Sequence, residues 1–109
     1  MMKILHGERG TGKSIKCIEY AWATNGVIVC VNHARKQFLH KLAKDWDMED
    51  VEIICVDEMP YKLCGNHKPL IIDDLEDILS ILLRTDTIAL ATTSCDIREL
   101  PDWKKDVEK

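Results

Sequence analysis

Residues 7–14 read Gly-Glu-Arg-Gly-Thr-Gly-Lys-Ser, and no other stretch narrows the possible folds of this chain as far. Three glycines in six positions disfavour both helix and strand, because glycine loses more backbone freedom on ordering than any other residue. Regular elements nevertheless flank the segment. Met2-Lys3-Ile4-Leu5 before it is short and apolar, which predicts a buried strand. Behind it, Ile15, Ile18 and Trp22 recur at helical spacing until Asn25-Gly26 supplies a stop. The segment matches G-x-x-x-x-G-K-[ST] at every fixed position. Glycines so spaced let successive backbone N–H groups curl around phosphate oxygens, and the helix that follows points its N-terminal partial charge at the same spot. Gly7, Glu8, Arg9, Gly10, Thr11, Gly12, Lys13 and Ser14 are therefore candidate phosphate-binding residues. Lys13 is placed to neutralise the outer phosphates, and Ser14 to offer its hydroxyl to Mg²⁺.

The rest of the chain alternates between two periods. Val27 to Val31 is continuous and β-branched, the mark of a strand covered on both faces. A helix is expected from about Ala34 to Trp46, with Phe38, Leu42 and Trp46 on one stripe. Val51–Val56 and Leu70-Ile71-Ile72 read as further strands, and Leu75, Ile78, Leu79, Leu82 and Leu83 as an amphipathic helix. Thr87-Ile88-Ala89-Leu90-Ala91 reads as the last strand. Such alternation predicts an α/β fold, a three-layer α/β/α sandwich around a mainly parallel sheet of about five strands. Its strand-to-helix loops share one edge. Asp57 to Pro69 reads as an irregular surface connection. Trp22 and Trp46, on the apolar stripes, are expected in the core.

A chain of 109 residues fits one domain, taken here as residues 1–101, with a charged tail at 102–109. No apolar run approaches the roughly 20 residues of a membrane helix, and the start lacks a secretory pattern, so a cytoplasmic location without membrane contact is expected. The five cysteines show no regular spacing. Cys30 and Cys55 lie inside apolar strands, where cysteine acts as a small hydrophobe, and Cys64-Gly-Asn-His67 lacks the second ligand pair that zinc needs. The formal charge of -4 argues against coating nucleic acid through bulk charge.

A second motif agrees with the first. Leu70-Ile71-Ile72-Asp73-Asp74 is an apolar strand ending in two acids. Asp73, at the carboxyl edge of the sheet, is a candidate Mg²⁺ ligand together with Ser14. Asp74 also stands where a helix cap is expected.

With these two motifs the chain resembles P-loop NTPases, residues 7–14 forming a Walker A and 70–74 a Walker B. It is most similar to the RecA- and helicase-like division, which has an additional strand between the P-loop and Walker B strands and an acid after the Walker B aspartate. That acid is usually glutamate. Here it is Asp74, one methylene shorter. The resemblance implies a Mg²⁺-dependent binder of ATP or another nucleoside triphosphate with slow intrinsic hydrolysis. Lys13 and Asp74 would be catalytic, and Thr93 (or Thr92) would be the phosphate sensor, at the end of a last strand lying between those of Met2–Leu5 and Leu70–Ile72. Small phage-encoded P-loop proteins are also similar, which would put the protein in the host cytoplasm.

Helicases bring an arginine finger from a second lobe. Among the arginines outside the loop, Arg35, Arg84 and Arg98, none is aimed by any sequence signal at the γ-phosphate. The expected source is a protein partner or a second copy of the chain. Arg35-Lys44, with Lys36 and Lys41, is a candidate nucleic-acid contact, weighed against an ordinary solvated helix face. Two other function classes stay open: a non-catalytic module ordered by nucleotide, and a nucleotide or nucleoside kinase.

Overall fold

Three parallel strands with helices on both faces account for most of the described residues. The structure is a computed structural model that describes residues 2–6, 12–59 and 68–99. The chain divides into two units, Ser14–Ile88 and Met1–Lys13 with Ala89–Lys109.

In the larger unit the elements run α1 (Lys13–Thr24, from its second residue on), β2 (Val27–Cys30), α2 (His33–Asp45), β3 (Glu52–Cys55), a 3₁₀ turn (Val56–Glu58), β4 (Leu70–Ile72) and α3 (Leu75–Leu83). β2 lies in the middle, with β3 and β4 parallel on either side. Parallel register places Ile28 beside Ile53 and Ile71, and Cys30 beside Cys55. Alternation then sorts the side chains. Ile28, Cys30, Ile53 and Cys55 meet Ile18 and Ala21 of α1 and Leu39 and Ala43 of α2. Val27, Val29, Ile54 and Val56 meet Ile78 of α3 on the other face. All four residues of β2 are fully buried, as its continuous apolar run requires. Each such Val or Ile contributes about 1.5–3 kcal/mol through burial.

The loop between α1 and β2 shows why Asn25-Gly26 stops the helix. Asn25 takes a left-handed φ of 55°, and the Gly26 N–H donates to the Ala21 carbonyl at 2.9 Å. A Cβ on Gly26 would meet Ile71 Cδ1 at 2.6 Å and the Pro69 carbonyl oxygen at 2.8 Å, so β4 closes against this glycine.

The smaller unit contains β1 (Lys3–His6) and β5 (Asp96–Glu99), paired in parallel with Ile4 opposite Ile97.

Three expectations are corrected. Residues 87–91 form no strand; Leu90 is 83 % exposed, and the last strand is Asp96–Glu99. Thr87 N–H and its hydroxyl both bond Thr85 Oγ1, a local side-chain turn that competes with strand pairing. The residues expected to form the sensor strand therefore form none. Trp22 and Trp46 are exposed, at 57 % and 51 %. The helices instead meet the sheet through Ala21 and Ala43 beside Ile18 and Leu39, because small side chains let a helix approach closely where an indole would hold it off. In α3 only Ile78 is buried, while Leu75, Leu82 and Leu83 are exposed. The irregular connection expected at Asp57–Pro69 opens within the 3₁₀ turn; residues 60–67, and with them Cys64 and His67, lie outside the described residues, as does the tail at 102–109.

Candidate functional site

Polar groups gather at the carboxyl edge of the three-stranded sheet. β4 ends at Ile72, and the Asp73 N–H extends the ladder by donating to the Val29 carbonyl at 3.0 Å. Alternation from Ile71 turns the Asp73 side chain to the face covered by α1 and α2, where it is 5 % exposed. A carboxylate so desolvated requires a partner. Arg35 is that partner: its Nε donates to Asp73 Oδ2 at 2.8 Å, and its Nη2 donates to Ser14 Oγ.

Local folding aims this arginine. Asn32 caps α2, its Oδ1 accepting from the Arg35 N–H at 2.8 Å, which makes Arg35 the third helical residue. Phe38, three residues on, lies under the guanidinium, 4.8 Å from ring centre to Cζ. Hydrogen bonding to Asp73 raises the Arg35 pKa, partial burial opposes it, and the charges of Asp73, Asp74 and Cys17 add to the rise.

Ser14 is the second residue of α1, and Gly12 just before the helix has φ 86°, a conformation open to glycine. Lys13 is the first helical residue. Gly7, Glu8, Arg9, Gly10 and Thr11 lie outside the described residues. Asp74 occupies the cap position of α3 at φ 62°, yet its side chain makes no capping hydrogen bond. Its exposed carboxylate is close enough to act on the Arg35 charge. Thr92 and Thr93 are exposed and end no strand; Thr93 Oγ1 accepts from the Cys95 N–H at 3.0 Å in a local turn. In the larger unit, then, Ser14 and Asp73 converge on one guanidinium, with Asp74 at its margin.

Arg35 is the residue of this cluster that sequence reasoning does not bring to Ser14 and Asp73. As part of a basic run it reads as a surface charge, but both it and Lys36 are paired within the chain. Lys36 Nζ lies 3.0 Å from Glu58 Oε1.

A second group of donors lies along the same edge. His33 Nδ1 is 3.4 Å from Cys55 Sγ, and His33 Nε2 is 3.6 Å from Asp57 Oδ2. Glu58 Oε1 also accepts from the Cys55 N–H at 3.2 Å. Cys55 and Cys30 are both fully buried, as expected for small hydrophobes. Burial pushes the Cys30 thiol up to about 12, helped by neighbouring Cys55 and Asp73. Burial also pushes the Cys55 thiol up. The signal that could have found this group is the strand pairing itself. His33 follows β2 and Cys55-Val56-Asp57-Glu58 ends β3, so parallel neighbours deliver them to one edge.

No helix among the described residues is long and apolar enough to cross a membrane. No protein-family model, curated protein or solved structure matches the chain.

Proposed function

We propose that this chain is a P-loop nucleotide-binding domain that takes a nucleoside triphosphate, ATP by resemblance, with Mg²⁺, and hydrolyses it slowly. The observation that carries the reading is the convergence of the Ser14 hydroxyl and the buried Asp73 carboxylate on a single cation, the Arg35 guanidinium. Both donors are hard oxygens suited to Mg²⁺, and Arg35 already supplies positive charge between them. The positive φ of Gly12 immediately before Lys13-Ser14 supports the same reading, since a phosphate-binding turn asks for glycine there.

In this reading the amides of residues 7–12 and the α1 N-terminus hold the phosphates, and Lys13 neutralises them. Ser14 and Asp73 would hold Mg²⁺, which when bound offsets charge on the outer phosphates. Asp74 orients the attacking water. Its left-handed backbone, with the carboxylate unused as a cap, leaves the side chain available for that task. Arg35 provides within the chain the arginine that the sequence assigned to a partner. A P-loop NTPase fold belongs to the same proposal, as does ATP hydrolysis tuned by a protein or nucleic-acid partner.

Calorimetry and thermal melts with ATP and GTP, each with Mg²⁺, test the proposal. Ligand at a hundred times its dissociation constant should stabilise the protein by about 2.7 kcal/mol. Lys13→Ala should abolish that gain, and Asp74→Asn should retain it while removing phosphate release. No heat of binding at millimolar nucleotide would end the proposal. Binding without phosphate release would leave the nucleotide-ordered module in its place.

A further inference from the structure

The donors at the ends of β2 and β3 are chemically unlike Ser14 and Asp73. His33, Cys55, Asp57 and Glu58 each present one ligand atom, and these four atoms all lie within 4.8 Å of one another. We propose that His33, Cys55 and Asp57, with Glu58 as the fourth donor, form a binding site for a borderline-soft divalent cation of the zinc class.

The topology builds the site. Cys30 and Cys55 are register partners, so both strands release the chain at the same level. α2 begins at His33, and the 3₁₀ turn begins directly after Cys55. The imidazole thus sits between the thiol and the Asp57 carboxylate, at 3.4 and 3.6 Å. One ring nitrogen binds one ion, so the Nδ1–Sγ separation of 3.4 Å is the one that matches the edge of a zinc tetrahedron, about 3.4–3.8 Å for bonds of about 2.1–2.3 Å, and the exposed Asp57 carboxylate, now at Nε2, turns to complete the set. Glu58 is held in position by Lys36 Nζ and the Cys55 N–H, the kind of outer support that orients metal ligands.

Access and donor type select the ion. The His33 and Asp57 side chains are 68 % and 67 % exposed, while the thiol lies buried beneath them, so an ion enters from solvent and meets sulfur at the floor. A thiolate, an imidazole and carboxylates suit zinc better than Mg²⁺, which prefers oxygen and water. On binding, the Cys55 thiol releases its proton to solvent and its sulfur bonds the metal. The ion then ties the first turn of α2, which carries Arg35, to the end of β3. This inference does not depend on nucleotide binding.

Cobalt(II) is the probe, titrated into the reduced full-length protein. A thiolate-to-cobalt charge-transfer band should appear in the near ultraviolet, saturate at one equivalent and disappear when Zn²⁺ is added. Cys55→Ser should eliminate the band, whereas Cys30→Ala and Cys64→Ser should leave it. His33→Ala, at an exposed helix-start position, should weaken cobalt binding more than about tenfold without unfolding the protein. It therefore carries the test if Cys55→Ser fails to fold. Absence of the band in the wild type, persistence in folded Cys55→Ser, or unchanged affinity in His33→Ala would each overturn the assignment.

Discussion

Two polar clusters share the carboxyl edge of one small sheet, and they solve the problem of charge in opposite ways. Around Asp73 the acid is buried and one arginine compensates it, with Ser14 and Phe38 fixing the guanidinium. Around Asp57 the acid and its histidine face solvent, and only the thiol is buried. The first arrangement is stiff and costly to disturb. The second is open and energetically cheap, with its donors ready for an ion that water can still deliver. The difference follows from position: Asp73 continues a ladder to the central strand, whereas Asp57 sits on a turn beyond an edge strand.

The largest effect that can break this comparison is loss of the arginine. Arg35→Met leaves a desolvated carboxylate without its cation. Breaking a fully buried pair costs about 3–5 kcal/mol, and the 29 % exposure of the Arg35 side chain reduces this to about 2–3 kcal/mol. His33→Ala in the open cluster should change stability by less than about 0.5 kcal/mol. Urea unfolding in the absence of metal reads both. Equal losses would mean that the clusters do not differ in kind.

Much of this edge is legible in the sequence. Ser14 and the acid pair after Leu70–Ile72 stand out, because each sits at a fixed place beside a regular element; residues 7–11 of the glycine-rich segment lie outside the described residues. The continuous apolar run of Val27–Cys30 announces a central strand. Arg35 does not. Its direction depends on where α2 starts, which the Asn32 cap decides, and on an aromatic ring one turn later. A basic run states the charges without stating which of them turn inward. The failure at Thr87–Ala91 is of another sort. β-branched residues favour a strand only where a ladder receives them, and here the Thr85 hydroxyl takes the Thr87 N–H and pairs with the Thr87 hydroxyl instead. The exposed tryptophans teach a related point, since helical spacing marks a stripe but the width of the helix–sheet gap decides which members enter it.

A smaller effect sharpens the comparison, because Cys30 feels both clusters through Cys55 and Asp73. Its folded pKa is raised from 9.0 to about 12. A raised value means that folding favours the protonated thiol. Its contribution is full below pH 9 and is lost as pH rises from there toward 12, because the unfolded chain sheds the proton first. Between pH 8 and pH 10 the wild type should therefore lose about 1 kcal/mol more stability than Cys30→Ala, read by urea unfolding under reducing conditions. Identical alkaline profiles would separate Cys30 from both clusters.

The smallest effect concerns the residue that borders the stiff cluster without belonging to it. Asp74 has φ 62° and no capping hydrogen bond, so its backbone bears left-handed strain that its side chain does not repay locally. Replacing it separates backbone from carboxylate. Asp74→Gly relieves the strain but frees the unfolded chain, two terms of about 0.5–1 kcal/mol that oppose each other, so its stability should match wild type within about 0.5 kcal/mol. Asp74→Ala keeps the strain and loses aspartate's tolerance of it, and should fall about 1 kcal/mol below the glycine variant. Under the proposed function both should bind nucleotide with Mg²⁺ and release no phosphate, because each lacks the carboxylate proposed to orient water. If Asp74→Gly hydrolyses at the wild-type rate, the strained backbone serves only to start α3, and the chemistry at this edge rests on Asp73 and Arg35 alone.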